Sequence, residues 1–282
     1  MTAARQLVPG VDVPAGLERF SFNQATAKHW PLAEVVAGCV DAGVPGVGLW
    51  REPVGEYGVA RAARLVRDAG LTVTSLCRGG FFTADDDWRT ENLRAIEEAA
   101  ALDCRVLVLV SGGLPAGSRD LAGARNRVAD AIAELAPHAA AAGVTLAIEP
   151  LHPMFCADRC VVASLGQALD IAERFDVGVV GVVVDAYHVW WDDAVHQQIA
   201  RAGDRIAAFQ VCDWVTPLPE GVLLGRGLPG EGCIDLRGLR AAVDAAGYAG
   251  PVEVEVFHAD VWARPGREVL DASVRGYLEH VR

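Results

Sequence analysis

Three acidic side chains close apolar, β-branched runs in this 282-residue sequence. Glu149 ends VTLAIE, Asp185 ends GVVVD, and Glu255 lies in PVEVEVF. An ionisable group abutting an apolar run is costly unless it is paired or binds a metal. Brought to one place, three carboxylates repel one another and need a cation to offset them. An oxygen-rich set of this kind favours a hard divalent ion such as Mn or Mg, with Co or Zn also compatible. Each acid also has a plainer reading. Glu149 can be a solvated loop acid, and Asp185 can cap the helical turn that follows it. Glu253 and Glu255, two residues apart on one strand face, can belong to the solvated side of an edge strand.

Other polar residues stand at the ends of similar runs: Asn23 and Gln24, Trp50 with Arg51 and Glu52, Arg78, Ser111, His188, and Gln210 with Asp213. Their spacing implies a repeated positioning device. Apolar runs predict strands over 20–23, 44–50, 71–77, 105–110, 144–149, 179–185, 206–212 and 252–256. Several are almost continuously apolar, as in VLVLV and VGVVGVVVD, which is the pattern of strands buried on both faces of a parallel sheet. Between them run amphipathic stretches such as LAEVVAGCVDAG and YGVARAARLVRDAG. An Ala–Gly pair recurs just before a strand at 42–43, 69–70, 142–143 and 246–247, in keeping with a repeated helix C-cap. Eight β-then-α units in this length match a (β/α)8 TIM barrel. The competing doubly wound sheet usually carries a Gly-rich loop after its first strand; here that strand is followed by FNQATAKHW. No linker-like stretch divides the chain, so residues 1–282 read as one domain. In a barrel the C-terminal strand ends converge, and the acids would share one mouth.

Composition narrows the chemistry. With 37 acidic and 25 basic residues the formal charge is −12, which argues against nucleic acid or an anionic membrane as partner. No apolar run reaches membrane-spanning length. The opening MTAARQLVPGVDVPAG lacks the long apolar core of a signal peptide, and seven cysteines without paired spacing read as reduced thiols in the cytoplasm. Cys156 and Cys160 lack the second ligand pair of a zinc site. Lys28 is the only lysine, which argues against Schiff-base and PLP chemistry.

The stretches AIEPLHP, VVVDAYH, FQVCDW, RGLPGEG and GYAGPVEVEVF, in this order, resemble successive signatures of the xylose isomerase-like TIM barrel family. GVGLWREPVGEYG and SLCRGG resemble its sugar isomerase and epimerase branch. The resemblance implies a single-metal site formed by Glu149, Asp185, Gln210 and Glu255. Gln210 departs from the family's usual His there, although Gln210 and Asp213 keep the spacing of its His-x-x-Asp pattern; a Gln carbonyl oxygen ligates a hard cation more weakly than imidazole does. His188 matches a substrate-contacting His. Arg226 matches an arginine near the substrate in ketose epimerases, here after a longer loop, WVTPLPEGVLLG; its plainer reading is a pair with Glu231. His152 and Arg78, each just past a strand end, can bind sugar hydroxyls or orient a metal carboxylate. Trp50, Trp190, Trp191 and Trp214 can face the apolar side of a sugar or pack in the core.

Two carboxylates across a polarised carbonyl suit proton chemistry at carbon. Glu149 and Glu255 are the expected acid/base pair of an isomerase or epimerase working through an enediolate on a keto-sugar or cyclitol. The same enediolate can expel a β-substituent, giving a dehydratase or lyase. A binding or accessory subunit without turnover is a third reading. By the same resemblance, a homodimer or homotetramer is expected.

Overall fold

The structure, a computed structural model, describes residues 13–84, 87–218 and 222–282. The opening stretch read for a signal peptide falls largely outside these residues, as do residues 219–221 of the WVTPLPEGVLLG loop.

Eight parallel strands close a barrel: β1 (Phe20–Asn23), β2 (Gly46–Trp50), β3 (Thr72–Gly80), β4 (Val106–Val110), β5 (Thr145–Ile148), β6 (Val180–Asp185), β7 (Ile206–Val211) and, after a two-strand ribbon, β10 (Val252–Val254). β10 pairs with β1 on one side and β7 on the other, which removes the sheet edges. The ribbon, β8 (Asp213–Trp214) against β9 (Arg226–Gly227), is antiparallel and stands apart from the barrel sheet. Helices alternate with the strands, for example Leu32–Asp41, Trp88–Ala101, Leu121–Ala142 and Leu236–Ala245. The architecture is the expected (β/α)8 barrel.

The recurring Ala–Gly pairs are a single device. Gly43, Gly70, Gly143 and Gly247 all have positive φ, 67° to 98°. In each case the next residue donates its N–H back into the last helical turn, as from Val44 to Cys39 O at 2.8 Å and Val144 to Ala139 O at 2.9 Å. This αL cap satisfies the helix's last carbonyls and turns the chain into the strand.

Two-residue alternation sorts the strands. Phe20, Phe22, Leu107, Leu109, Leu146, Ile148, Val182, Val184, Phe209, Val211, Val252 and Val254 join the large apolar cluster shared with the helices. Cys77, Val108, Ala147, Val183 and Ala208 form a separate small cluster inside the barrel. Continuing the inward series by two residues leads from Ala147 to Glu149, from Val183 to Asp185 and from Ala208 to Gln210. The apolar core and the polar mouth are therefore written on the same face of the same strands.

Several boundaries differ from expectation: β10 ends at Val254, so Glu255 stands just past it, and β2 starts only at Gly46. β3 runs on to Gly80, because Gly79 and Gly80 still pair with Leu109 and Val110 after a register shift. The stretch YGVARAARLVRDAG forms the helix Val59–Asp68, and a separate short helix, Arg51–Tyr57, precedes it, the two meeting at Gly58, whose φ is 92°. Among the described residues no helix is long and apolar enough to cross a membrane.

Candidate active site at the barrel mouth

Glu149 follows β5 and hydrogen-bonds through its backbone N–H to Leu109 O at 3.0 Å. Asp185 ends β6 and divides its two oxygens. Oδ1 accepts the Tyr187 N–H at 2.8 Å, which is the helix-capping role. Oδ2 faces Arg226 Nη1 at 3.2 Å. The same Nη1 donates to Glu255 Oε2 at 3.1 Å, so one nitrogen spans carboxylates from two non-adjacent strands. Glu149, Asp185 and His188 offer ligand atoms within 4.8 Å of one another. Glu149, Asp185, His188, Arg226 and Glu255 are all buried.

Arg226 lies on β9, and its position is built by the ribbon. Its N–H donates to Phe257 O at 3.3 Å, and its guanidinium lies over the rings of Tyr187 and Phe257 at 4.9 and 4.6 Å. Asp213 folds the loop that follows, accepting backbone N–H groups of Trp214, Gly230 and Ile234 at 2.9 to 3.0 Å. Glu231 accepts the Leu228 N–H and takes no part in holding Arg226, so the plainer reading of this arginine is replaced by a pairing with Asp185 and Glu255.

Beneath Glu255 lies a second carboxylate, Glu253. Asn23 Nδ2 donates to it at 2.8 Å and to Glu255 at 3.0 Å. Thr74, Ser75 and Gln210 also donate to Glu253, at 2.6 to 3.0 Å. Gly48 makes room: a Cβ there would stand 2.6 Å from Glu253 Cδ. Sequence reasoning placed Glu253 only on one strand face with Glu255 and gave Asn23 no role beyond its place at a strand end. The signal was present in GVGLW, where glycines two apart leave one strand face empty for an incoming side chain.

Burial dominates the electrostatics. It raises Glu149 well above the usual carboxylate range, helped by the nearby charges of Asp185 and Glu255. It raises Glu255 to about 8, against the pull of Arg226, and raises Asp185 despite the same guanidinium. His188 is pushed well below the ordinary range by burial and then by Arg226 and His152, so its ring is neutral. A neutral imidazole has one lone pair. Yet the His152 N–H faces His188 Nδ1 at 3.1 Å and Arg226 Nη2 faces Nε2 at 3.1 Å. One contact is made at the expense of the other. With Nδ1 accepting, the Nε2 proton points toward Asp185 Oδ2, 3.8 Å away.

The remaining candidates form the rim. His152 is half-buried, its ring beside Trp191 and Trp214 at 5.5 and 5.1 Å. Trp191 is 39% exposed and donates to His188 O at 2.8 Å. Trp50 donates to Asn23 Oδ1 at 3.1 Å and packs edge-on against Phe257 at 5.5 Å. Arg78 lies over Phe81 at 4.3 Å. Trp214 is buried against Tyr187 and Trp190, as a wall residue. Cys160 bonds to Ser111 Sγ–Oγ at 3.1 Å and is buried, Cys156 is only half-buried, and all seven cysteines are free thiols.

The profile of the family described as xylose isomerase-like TIM barrel matches residues 36–276. The chain belongs to that family. A solved member of the same architecture, protein SMc04130 from Sinorhizobium meliloti 1021, is 48% identical with a TM-score of 0.90, over 94% of this chain and 98% of that one. The xylose isomerase-like barrel also aligns with curated enzymes. It is 34% identical to a 3-dehydroshikimate dehydratase of Pseudomonas aeruginosa over 178 residues, which are 61% of this chain and 26% of that protein. It is 28% identical to an inosose isomerase of Bacillus subtilis over 156 residues, 54% of each. The matched stretch thus spans about a quarter of the first relative and about half of the second.

Proposed function

We propose that this chain is a divalent-metal-dependent isomerase or epimerase acting on a keto-sugar or cyclitol by α-proton abstraction. One observation carries the reading: a single Arg226 nitrogen contacts both Asp185 and Glu255, while Glu149 and Asp185 approach within 4.8 Å. These contacts support one cation shared by the acids at the ends of β5, β6 and β10.

The donor set fits a hard cation. Glu149, Asp185 and Glu255 supply carboxylate oxygens, and Gln210 Oε1 is buried with no hydrogen-bond partner, an acceptor free for a ligand. His188 is the poorer donor, because its neutral ring has one lone pair and both ring nitrogens already face donors, the His152 N–H and Arg226 Nη2. We assign Glu149, Asp185, Gln210 and Glu255 as the metal residues and His188 as a substrate-orienting group. The bound ion, Mn or Mg by the oxygen chemistry, would polarise a substrate carbonyl.

The chain's own groups do the proton work. Glu149 and Glu255 stand as acid and base, one removing the α-proton and the other returning a proton on another face or carbon. Burial raises the proton affinity of both carboxyls, the direction that suits an acid/base pair. Arg226 lies where it can meet charge developing on the substrate oxygens. Trp50, Trp191 and His152 would close the rim, and Arg78 would contact the substrate beyond the acids.

The match to a dehydratase favours a second reading. The same first step, followed by departure of a β-hydroxyl, gives a lyase with no change in the residues used. Keto-sugars and keto-cyclitols incubated in D2O with Mn or Mg separate these outcomes by NMR. Exchange at the α-carbon with epimer or isomer formation supports the first reading. Exchange with an alkene product supports the second. Absence of exchange with every substrate tried, in metal-loaded protein, overturns both.

A further inference from the structure

Arg226 takes the part of a cation between Asp185 and Glu255. Its Nη1 lies 3.2 Å from Asp185 Oδ2 and 3.1 Å from Glu255 Oε2. The other oxygen of each carboxylate is committed elsewhere. Asp185 Oδ1 accepts the Tyr187 N–H at 2.8 Å and so caps the turn that follows β6. Glu255 Oε1 accepts from Asn23 Nδ2 at 3.0 Å. That amide is fixed in turn, because Asn23 Oδ1 takes the Ala25 N–H at 2.9 Å and Trp50 Nε1 at 3.1 Å. Neither acid can turn its second oxygen to the site without giving up a buried hydrogen bond. A cation shared by Asp185 and Glu255 therefore meets Oδ2 and Oε2, the two atoms that Arg226 holds.

The seat of the guanidinium is firm on one side and incomplete on the other. The group lies over the rings of Tyr187 and Phe257, and Nη2 faces His188 Nε2 at 3.1 Å. Its Nε is buried without a hydrogen-bond partner, as is Gln210 Oε1. Buried polar groups are nearly always paired, so each orphan asks for a cause. With Arg226 in this seat both atoms stay unmet. A divalent ion in its place would take the Gln210 oxygen and release the fork to find an acceptor for Nε. The two cations exclude each other, since like charges at contact range repel strongly in a water-poor interior.

We infer that Arg226 and the divalent ion are alternative occupants of Asp185 Oδ2 and Glu255 Oε2. The guanidinium is the resident counter-ion, and the metal enters by exchange with Nη1. This rests on the reading that these acids are metal residues. Metal affinity is then set by the difference between two cations, not by the acids alone. The displaced fork is left with Nη1 and Nε free for an acceptor on the substrate.

The test is metal binding, measured apart from turnover. Mn is titrated into the full native chain and into Arg226→Gln, Arg226→Ala and Arg226→Lys, with the free ion read by EPR. Circular dichroism verifies the fold of each variant. The two neutral variants are expected to bind Mn at least ~10-fold tighter than the native chain, because they leave buried carboxylates uncompensated. Arg226→Lys keeps a charge and is expected to fall between; should neither neutral variant fold, it decides the question by the same sign. Methylguanidinium should compete with Mn in Arg226→Ala and leave the native chain unaffected. A residue that only holds the acids in place predicts the opposite, weaker Mn binding on its removal. Mn binding that is unchanged or weaker in a folded neutral variant overturns the inference, as does an Arg226→Ala chain insensitive to methylguanidinium. If neither the native chain nor any folded variant binds Mn, the metal assignment falls and this inference with it. Native binding that the variants do not improve overturns this inference alone.

Discussion

Gln210 Nε2 donates to Glu253 Oε1 at 3.0 Å, and this contact settles which end of the Gln210 amide faces outward. Glu253 serves as acceptor for donors from Asn23, Thr74, Ser75 and Gln210. With the amide nitrogen committed to the carboxylate below, the oxygen is the end left without a partner. A residue that departs from the family's usual His is thereby presented as an oxygen donor. Replacing Glu253 by Gln makes the two amide orientations comparable. Mn affinity, followed by loss of the free-ion EPR signal, should fall about tenfold, the scale of losing a group that orients a ligand. In a Gln210→Ala background the same replacement should cost much less. An equal loss in both backgrounds would mean that Glu253 acts through its charge alone.

Glu149→Gln and Glu255→Gln keep shape but remove the proton-transferring oxygen. Each is expected to lower turnover by at least ~10²-fold, the usual worth of an acid/base group. Solvent-deuterium exchange at the α-carbon should fall in parallel. Near-native exchange in both variants would move the chemistry to other residues.

The raised carboxyls make stability depend on pH in the metal-stripped protein. Glu255 titrates near 8 when folded and near 4.5 when unfolded, so above 4.5 the folded state holds the extra proton. Stability is fully present at low pH and declines as pH rises toward 8. Glu149, also raised, acts in the same sense. His188, lowered, acts oppositely, but only below the ordinary histidine value of 6.5. The interval from pH 7 to 8 therefore isolates the acids. Urea midpoints should fall across it, and Glu255→Gln should flatten the slope. A rising midpoint in that interval would contradict the assignment.

Gly48 tests the carboxylate cage from its wall. A Cβ added there would lie 2.6 Å from Glu253 Cδ. Gly48→Ala is expected to cost about 1–3 kcal/mol, the range for overpacking a filled interior, measured by urea unfolding. Shortening the partner in a Gly48→Ala/Glu253→Asp double variant should return part of that loss. If the double variant is simply the sum of two losses, the contact is not what makes Gly48 necessary.

The barrel was legible in the chain because its causes are local. Apolar runs, their spacing and the Ala–Gly caps each depend on a few neighbouring residues, and parallel strands buried on both faces leave a strong pattern. The positions of Glu149, Asp185 and Gln210 at strand ends followed from the same periodicity. The family signatures then selected which polar residues to group. What no local pattern carried was the partner of each group. Asn23 and Glu253 are 230 residues apart, and Arg226 meets Asp185 across 41. Such pairs exist only because barrel closure sets β1 beside β10 and the ribbon folds over the mouth. Local chemistry along the chain set the elements and the direction their side chains face. Tertiary structure alone decided that Arg226 turns from Glu231 to Asp185 and Glu255, and that Glu253 lies under Gln210, because those choices depend on which distant groups share a low-dielectric space and must satisfy one another there.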